Sequence, residues 1–404
     1  MNKEELDQYA DVILKHPNLL LQWATGCGKT KQAIRAIDRL DKDHHNRVLI
    51  VVAEIAHKKN WIREFQKWNP QLLIDINYEI EIICYNSLHH HMGQHYDLVI
   101  FDESHHLGTN IRLDVLTDIY SSRFLLLSAT MDKNIIYAIE EIIGPIYVST
   151  ITLQQSIDWG LLPEPTIVLV PMELDNIICD QVVEETRGKS AYAQTIHCTV
   201  REKWNYLKDK RRYPNLKLLV SCTQRQKYND LCLKIEYYKK LYFSKQTESI
   251  KNKWLQYGSQ RKVFLGSLKD KKAREIITTF GKSRYICFCT NIEQADKLGG
   301  NNAIHSEKDK PLETIDKFND KQINSLFVVG MLKEGQNLVD IEKGLIIQLD
   351  GKILPFIQKT GRVLRAEYPE IYIIYIKGTQ DEIYLNRALE HVNPEYIRYY
   401  EDHN

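Results

Sequence analysis

The sequence predicts an α/β protein: two parallel-sheet domains in tandem, residues 1–150 and 283–404, separated by a linker and a basic, mainly helical insert over 151–282. Three observations predict it. Apolar runs of strand length alternate with amphipathic helix faces through the first 150 residues, the pattern of a parallel sheet covered by helices. The same alternation returns after residue 283. Between the two, residues 201–280 hold 21 Lys and Arg against 7 Asp and Glu, a net of +14 where the remaining chain carries −13. Such asymmetry points to a polyanion partner for one segment, with a solvated helical surface as the plain alternative.

The 404 residues, 43% hydrophobic and 26% charged, suit a globular chain with two or three cores. No run of 18 apolar residues occurs, so neither a spanning helix nor a membrane partner is expected. The start, Met1 to Gln8, is polar and acidic, unlike a secretion signal. Eight cysteines are scattered without a C-x-x-C, the closest pair being Cys287 and Cys289. Reduced thiols in a soluble, cytoplasmic protein are the expectation.

Taken in order, residues 3–15 read as a helix and Leu19, Leu20 and Leu21 as a buried strand. Thr25-Gly26-Cys27-Gly28 is a turn, and Lys29 and Thr30 open a helix with Ala33, Ile34 and Ile37 on one face. Strand, glycine loop and helix start are what a phosphate-binding loop requires. Glycines let successive N–H groups point at an anion, and the helix N-terminus adds partial positive charge. Lys29 is placed for the β- and γ-phosphates of ATP and the Thr30 hydroxyl for Mg²⁺. The pattern departs at its first glycine, which is Trp23 here.

Arg47 to Ala53 reads as the next strand. A helix from Lys58 to Trp68 follows, with Trp61, Ile62, Phe65 and Trp68 on its apolar face. Ile80 to Tyr85 is a strand ending in Tyr85-Asn86-Ser87. The strand Asp97 to Phe101 runs into Asp102-Glu103-Ser104-His105. Two carboxylates at the end of an apolar strand are costly unless a cation or substrate meets them. Asp102 suits Mg²⁺, and Glu103 suits orienting and deprotonating a water. Phe124 to Leu127 ends in Ser128-Ala129-Thr130, whose small hydroxyl residues suit either plain turn chemistry or a hydrogen-bonding relay between the nucleotide and the second domain. His89, His90, His91, His95, His105 and His106 lie close in sequence. They sit on a loop and a strand end with no paired cysteines, so a zinc site is not expected.

Residues 151–165 form a short helix and a proline-marked linker, and Thr166 to Val170 a strand. In the insert, residues 226–243 carry apolar positions at helical spacing. Trp204, Tyr213, Trp254, Tyr257 and Phe264 alternate with Arg211, Arg212, Lys251, Lys253, Arg261 and Lys262. Most of the aromatics are expected in a small core, and the six basic side chains on a face that neutralises phosphates. Further strands are read at Arg284–Cys289, 303–305, 325–330, Leu345–Leu349 and Ile371–Ile376, with no second phosphate loop. Instead comes Gln358-Lys-Thr-Gly-Arg362-Val-Leu-Arg365, whose two arginines share one helix face.

Together these strings resemble the superfamily-2 helicases of the DExH type. Ala24 to Thr30 resembles motif I, Val52-Ala53-Glu54 motif Ia, Tyr85-Asn86-Ser87 motif Ib, Asp102 to His105 motif II and Ser128-Ala129-Thr130 motif III. Gly330 to Leu338 resembles motif V, with Gly335 and Asn337 at its small and polar places, and Gln358 to Arg365 resembles motif VI. The likeness covers nearly all but the insert. It implies two RecA-like domains with ATP and Mg²⁺ between them, and an adenine-reading amide at Gln8. It also implies a coupling role for Ser128, Ala129, Thr130 and His105, and Arg362 and Arg365 as arginine fingers. The wording is closest to compact phage-type and restriction-type DNA helicases. DNA is therefore favoured over RNA, with replication, recombination or restriction proteins as expected company. An RNA helicase, or a nucleic-acid-stimulated remodelling ATPase, is the alternative.

Overall fold

The computed structural model describes residues 6, 11–12, 15–176, 181–189, 192–308, 311–330, 338, 340–349, 366–390 and 392–401. Six strands make the first sheet: β1 (Asn18–Trp23), β2 (Asn46–Val52), β3 (Tyr78–Cys84), β4 (Leu98–Asp102), β5 (Phe124–Ser128) and β6 (Tyr147–Ile151). They pair in the order β3-β2-β4-β5-β1-β6, all parallel. Alternate side chains of a strand face opposite sides. Leu19 and Leu21 pack with Ala33 and Ile34 of α1 (Lys29–Asp38) and with Trp61 and Phe65 of α2 (Ile55–Trp68). Leu20 faces the other way, with Ile139 of α3 (Lys133–Ile143). Covering both faces is what makes the inner strands β1, β2, β4 and β5 largely buried and apolar.

A linker helix, α4 (Leu153–Asp158), opens with a reciprocal capping box between Thr152 and Gln155. The chain then enters the second sheet through β7 (Thr166–Met172) before the insert begins. The insert contributes β8 (Gln181–Arg187), β9 (Gln194–Thr199), α5 (Val200–Lys208) and β10 (Leu216–Cys222). It continues with a helical hairpin of α6 (Gln224–Lys245) and α7 (Glu248–Leu268), and then α8 (Asp270–Thr279) returns the chain. The strand β10 pairs antiparallel with β8 and parallel with β9, over a small core of Cys198, Leu216, Leu218 and Val220. The insert thus holds a three-stranded sheet beside the expected helices.

The second domain continues with β11 (Tyr285–Cys289), α9 (Ile292–Gly299), β12 (Ala303–Ile304), α10 (Pro311–Asn319) and β13 (Ser325–Val329). It closes with β14 (Lys343–Ile346), β15 (Glu370–Ile376), α11 (Gln380–Leu389) and β16 (Ile397–Tyr399). The seven strands run parallel in the order β12-β13-β11-β14-β15-β7-β16. Strand β7 stands opposite Glu370–Ile376, about 200 residues away in sequence. It and α8, whose Ala273 and Ile276 pack on Cys287 and Ile374, join the second domain's sheet and core, although both fall inside 151–282. Among the described residues no helix is long and apolar enough to cross a membrane.

Candidate nucleotide site at the edge of the first sheet

Strands β1, β4 and β5 are neighbours, and each ends in one of the singled-out sequences. Gln22 stands opposite Ser128, and Asp102 opposite Leu127, so the three ends meet at one edge of the sheet. In parallel sheets the carboxyl edge is where ligands bind.

Trp23 is still part of β1, and this accounts for the missing first glycine. Its backbone is extended, its ring is fully buried, and its indole N–H donates to Ser149 Oγ of β6 at 3.0 Å. The turn proper starts later. Gly26 and Gly28 take φ of +94° and +83°, which a side chain would strain. Gly28 caps α1, which has neither a capping side chain nor an acidic residue in its first turn. Its leading N–H groups and dipole are thereby left to an anion. The Lys29 ammonium donates to Trp23 O at 2.8 Å and to Ala24 O at 3.5 Å, folded back over the loop. Thr30 follows on the same turn, and Thr25 lies half-buried before Gly26. Cys27 is buried, with its thiol 2.9 Å from Ser156 Oγ.

Both oxygens of the Asp102 carboxylate are held. Oδ2 accepts the Trp61 indole N–H at 2.9 Å and Oδ1 the Glu103 N–H at 3.1 Å, while Tyr85 OH donates to Asp102 O at 3.0 Å. Glu103 is left-handed at φ +49°, ψ +53°. That conformation costs a residue with a side chain about 1–3 kcal/mol and clusters at functional sites. The His105 Nδ1 lies 3.5 Å from Glu103 Oε2 and 3.3 Å from Ser128 Oγ. The Ser128 hydroxyl donates to Thr130 O at 2.7 Å, so it accepts from His105. His105 therefore carries its proton on Nδ1, between the carboxylate of one strand end and the serine of the next. Ala129 is buried beside them. Arg112 ties the Tyr85–Ser87 segment in: it donates to His106 O at 2.7 Å and Asn86 Oδ1 at 3.4 Å, over the Tyr85 ring.

The basic residues of the insert do not share one environment. Arg211 and Arg212 are exposed on the turn before β10. Lys251 lies 3.7 Å from Glu248, and Lys253 is exposed near the Tyr238 ring. Arg261, about 12 Å further along α7 than Lys253 at 1.5 Å per residue, donates to Gln380 Oε1 at 3.1 Å and Cys232 Sγ at 3.4 Å, so it pins the hairpin to α11. Lys262 lines a cavity of about 380 Å³ between the hairpin and the second domain. Of the aromatics, Phe264 is buried, Tyr257 and Trp254 are half-buried, and Trp204 is exposed. Gln8, Gly335, Asn337, Gln358, Arg362 and Arg365 lie outside the described residues.

Residues 2–133 match the family described as the type III restriction enzyme res subunit. Over 94% of its length the chain is 22% identical to the DNA 3'-5' translocase XPB2 of Sulfurisphaera tokodaii, covering 83% of that protein. The helicase domain of Pyrococcus furiosus Hef superposes with a TM-score of 0.51 at 13% identity, over 96% of this chain and 99% of that one. That likeness establishes the fold as a pair of RecA-like domains. The res-subunit family match covers the first third of the chain, and the likeness to a DNA translocase and to a helicase domain extends over nearly all of it. The loop and the carboxylates at the first sheet's edge lie within the stretch that matches the res-subunit family. Sequence reasoning treated Trp61 only as an apolar residue and passed over Ser156. A signal for Trp61 was present, since a buried indole N–H needs an acceptor.

Proposed function

We propose that the chain is an ATP-dependent DNA helicase or translocase, coupling hydrolysis between its RecA-like domains to movement along the strand or its unwinding. The adjacency of β1, β4 and β5 carries the reading, because it brings Lys29, Asp102, Glu103 and Ser128 to one edge. The loop fits a nucleotide phosphate chain: two left-handed glycines, an uncapped helix start, and an ammonium that now rests on loop carbonyls. With ATP bound, Lys29 exchanges the Trp23 and Ala24 carbonyls for phosphate oxygens. The N–H groups from Thr25 to Thr30 line the phosphates, and Gln8 reads the adenine edge. Thr30 and Asp102 are the residues that would hold Mg²⁺, which would supply neutralisation of phosphate charge there. Glu103 orients the attacking water and takes its proton. Arg362 and Arg365, with Gln358 and the Gly335–Asn337 segment, complete the site from the second domain and stabilise charge on the transferring phosphoryl group.

DNA is favoured as the track because the relative XPB2 is a DNA translocase and because residues 201–280 carry +14. The test is steady-state ATP hydrolysis with single-stranded DNA, double-stranded DNA and RNA, each with and without Mg²⁺. DNA should stimulate a Mg²⁺-dependent activity. Stimulation by RNA alone would transfer the assignment to the RNA helicase reading, and no hydrolysis in any arm would remove it.

A further inference from the structure

The linker helix α4 touches both halves of the molecule. At its middle the buried Ser156 hydroxyl donates to Thr152 O at 2.7 Å, so toward the phosphate loop it acts as acceptor for the Cys27 thiol at 2.9 Å. Burial raises the pKa of that thiol, which keeps its proton available for the bond. Gly26 lies against the end of the same linker: a Cβ added there would stand 3.0 Å from Leu162 Cδ2. The loop's first residue is also tied in, with Ala24 N–H donating to Ile151 O at 2.9 Å. On its other side α4 meets the second domain. Gln154 Oε1 accepts the Asn393 N–H at 2.9 Å, four residues before β16. The helix is stiffened at both ends, by the Thr152–Gln155 capping box and by the Leu161 and Leu162 N–H groups converging on Ser156 O at 2.9 and 3.1 Å. Ile157 is buried in a cluster that contains side chains of both sheets.

We propose that α4 is a strut setting the geometry of the phosphate loop according to the position of the second domain, with Ser156 and Gln154 as positioning residues at its two contacts. The inference rests on the ATPase reading above. A six-residue helix spans about 9 Å at 1.5 Å per residue. A displacement of Asn393 therefore reaches Cys27 through one short rigid element. Neither Ser156 nor Gln154 belongs to the nucleotide site itself, so both act through the loop.

The experiment is a double-mutant cycle. Wild type, Gln154→Ala, Ser156→Ala and the double variant are compared for the Kd of a fluorescent non-hydrolysable ATP analogue, and for KM and kcat with saturating DNA. Thermal melts check that each variant is folded. Loss of one hydrogen bond should weaken nucleotide binding by about two- to tenfold. That loss should appear in Gln154→Ala although its side chain lies on the second-domain side of the helix. The double variant should be no worse than the weaker single one, because either change cuts the same strut. KM should move and kcat at saturation should change less than about twofold. A wild-type Kd in Gln154→Ala, or additive effects in the double variant, would overturn the strut while leaving DNA-stimulated hydrolysis by wild type standing. Gln154→Ala decides the matter even where Ser156→Ala does not fold. If wild type neither binds nor hydrolyses ATP, the ATPase reading falls and the strut with it.

Discussion

The imidazole of His105 stands 3.3 Å from Ser128 Oγ and 3.5 Å from Glu103 Oε2, so one ring joins the ends of two adjacent strands. Nδ1 hydrogen-bonds Ser128 Oγ and stands within ion-pair distance of Glu103 Oε2. A shift of Glu103 during hydrolysis therefore alters the bond to Ser128, and through Ser128 the turn at Thr130. His105→Phe keeps the ring and removes the proton. The hydrogen bond to Ser128 is worth about 0.5–1.5 kcal/mol. DNA-stimulated kcat should fall by about 2–10-fold and the basal rate much less. An unchanged ratio of stimulated to basal rate would sink the relay.

Trp61 holds Asp102 through its indole N–H at 2.9 Å from inside the apolar face of α2. Trp61→Phe preserves most of the packing and removes the donor. The Mg²⁺ concentration giving half-maximal ATPase should rise about 5- to 30-fold, about 1–2 kcal/mol of lost orientation, with little change in Tm. A Mg²⁺ titration that overlays wild type would show that Asp102 needs no such support.

Lys269, at the base of the insert, is fully buried. It lies 2.6 Å from Asp381 Oδ2 and also donates to Ile347 O, Gln348 Oε1 and Ile374 O. Burial lowers its pKa and Asp381 opposes the shift. Lys269→Met strands the Asp381 carboxylate and should destabilise the second domain by about 3–5 kcal/mol, whereas Lys269→Met with Asp381→Leu should recover part of that loss. Denaturant unfolding of both variants measures the difference. Equal stabilities for the single and double variants would contradict it.

For the basic surface, replacing Arg211, Arg212, Lys251 and Lys253 by Gln should weaken DNA binding with little sequence dependence. Each lost phosphate contact should lower the salt slope by about 0.7–0.9. Arg261→Gln should act on stability instead, because its guanidinium is bound to Gln380 and Cys232. A salt titration with an unchanged slope in the fourfold variant would reduce the charge to a solvated face.

Elements buried on both faces were legible in the sequence. Leu19–Leu21, Leu98–Phe101 and Leu125–Leu127 announce themselves as uninterrupted apolar runs, and polar residues at their ends stand out against them. Strand β6 was not legible, because Tyr147–Ile151 is a half-exposed edge interrupted by the adjacent polar pair Ser149 and Thr150. The strand at Thr166–Met172 was visible, but its place beside Glu370–Ile376 depends on a partner far along the chain that no local pattern encodes. The insert strands escaped for a similar reason: Gln194–Thr199 is mostly polar and buries little beyond Cys198. At the site, the glycine loop and the carboxylate pair were plain in one dimension. Trp61 and Ser156 act through contacts 41 and 129 residues away, on Asp102 and Cys27.

The central claim is that the paired carboxylates at the end of β4 run ATP hydrolysis, and Glu103→Gln tests it most directly. The left-handed backbone at Glu103 and the Asp102 contacts to Trp61 and Tyr85 remain available to glutamine. The substitution therefore removes a proton acceptor and little else. With saturating ATP, Mg²⁺ and DNA, kcat should fall by about 10²–10⁴-fold, the scale of general-base catalysis. The Kd for a non-hydrolysable ATP analogue should stay within about twofold of wild type. Hydrolysis at the wild-type rate by folded Glu103→Gln would contradict the account.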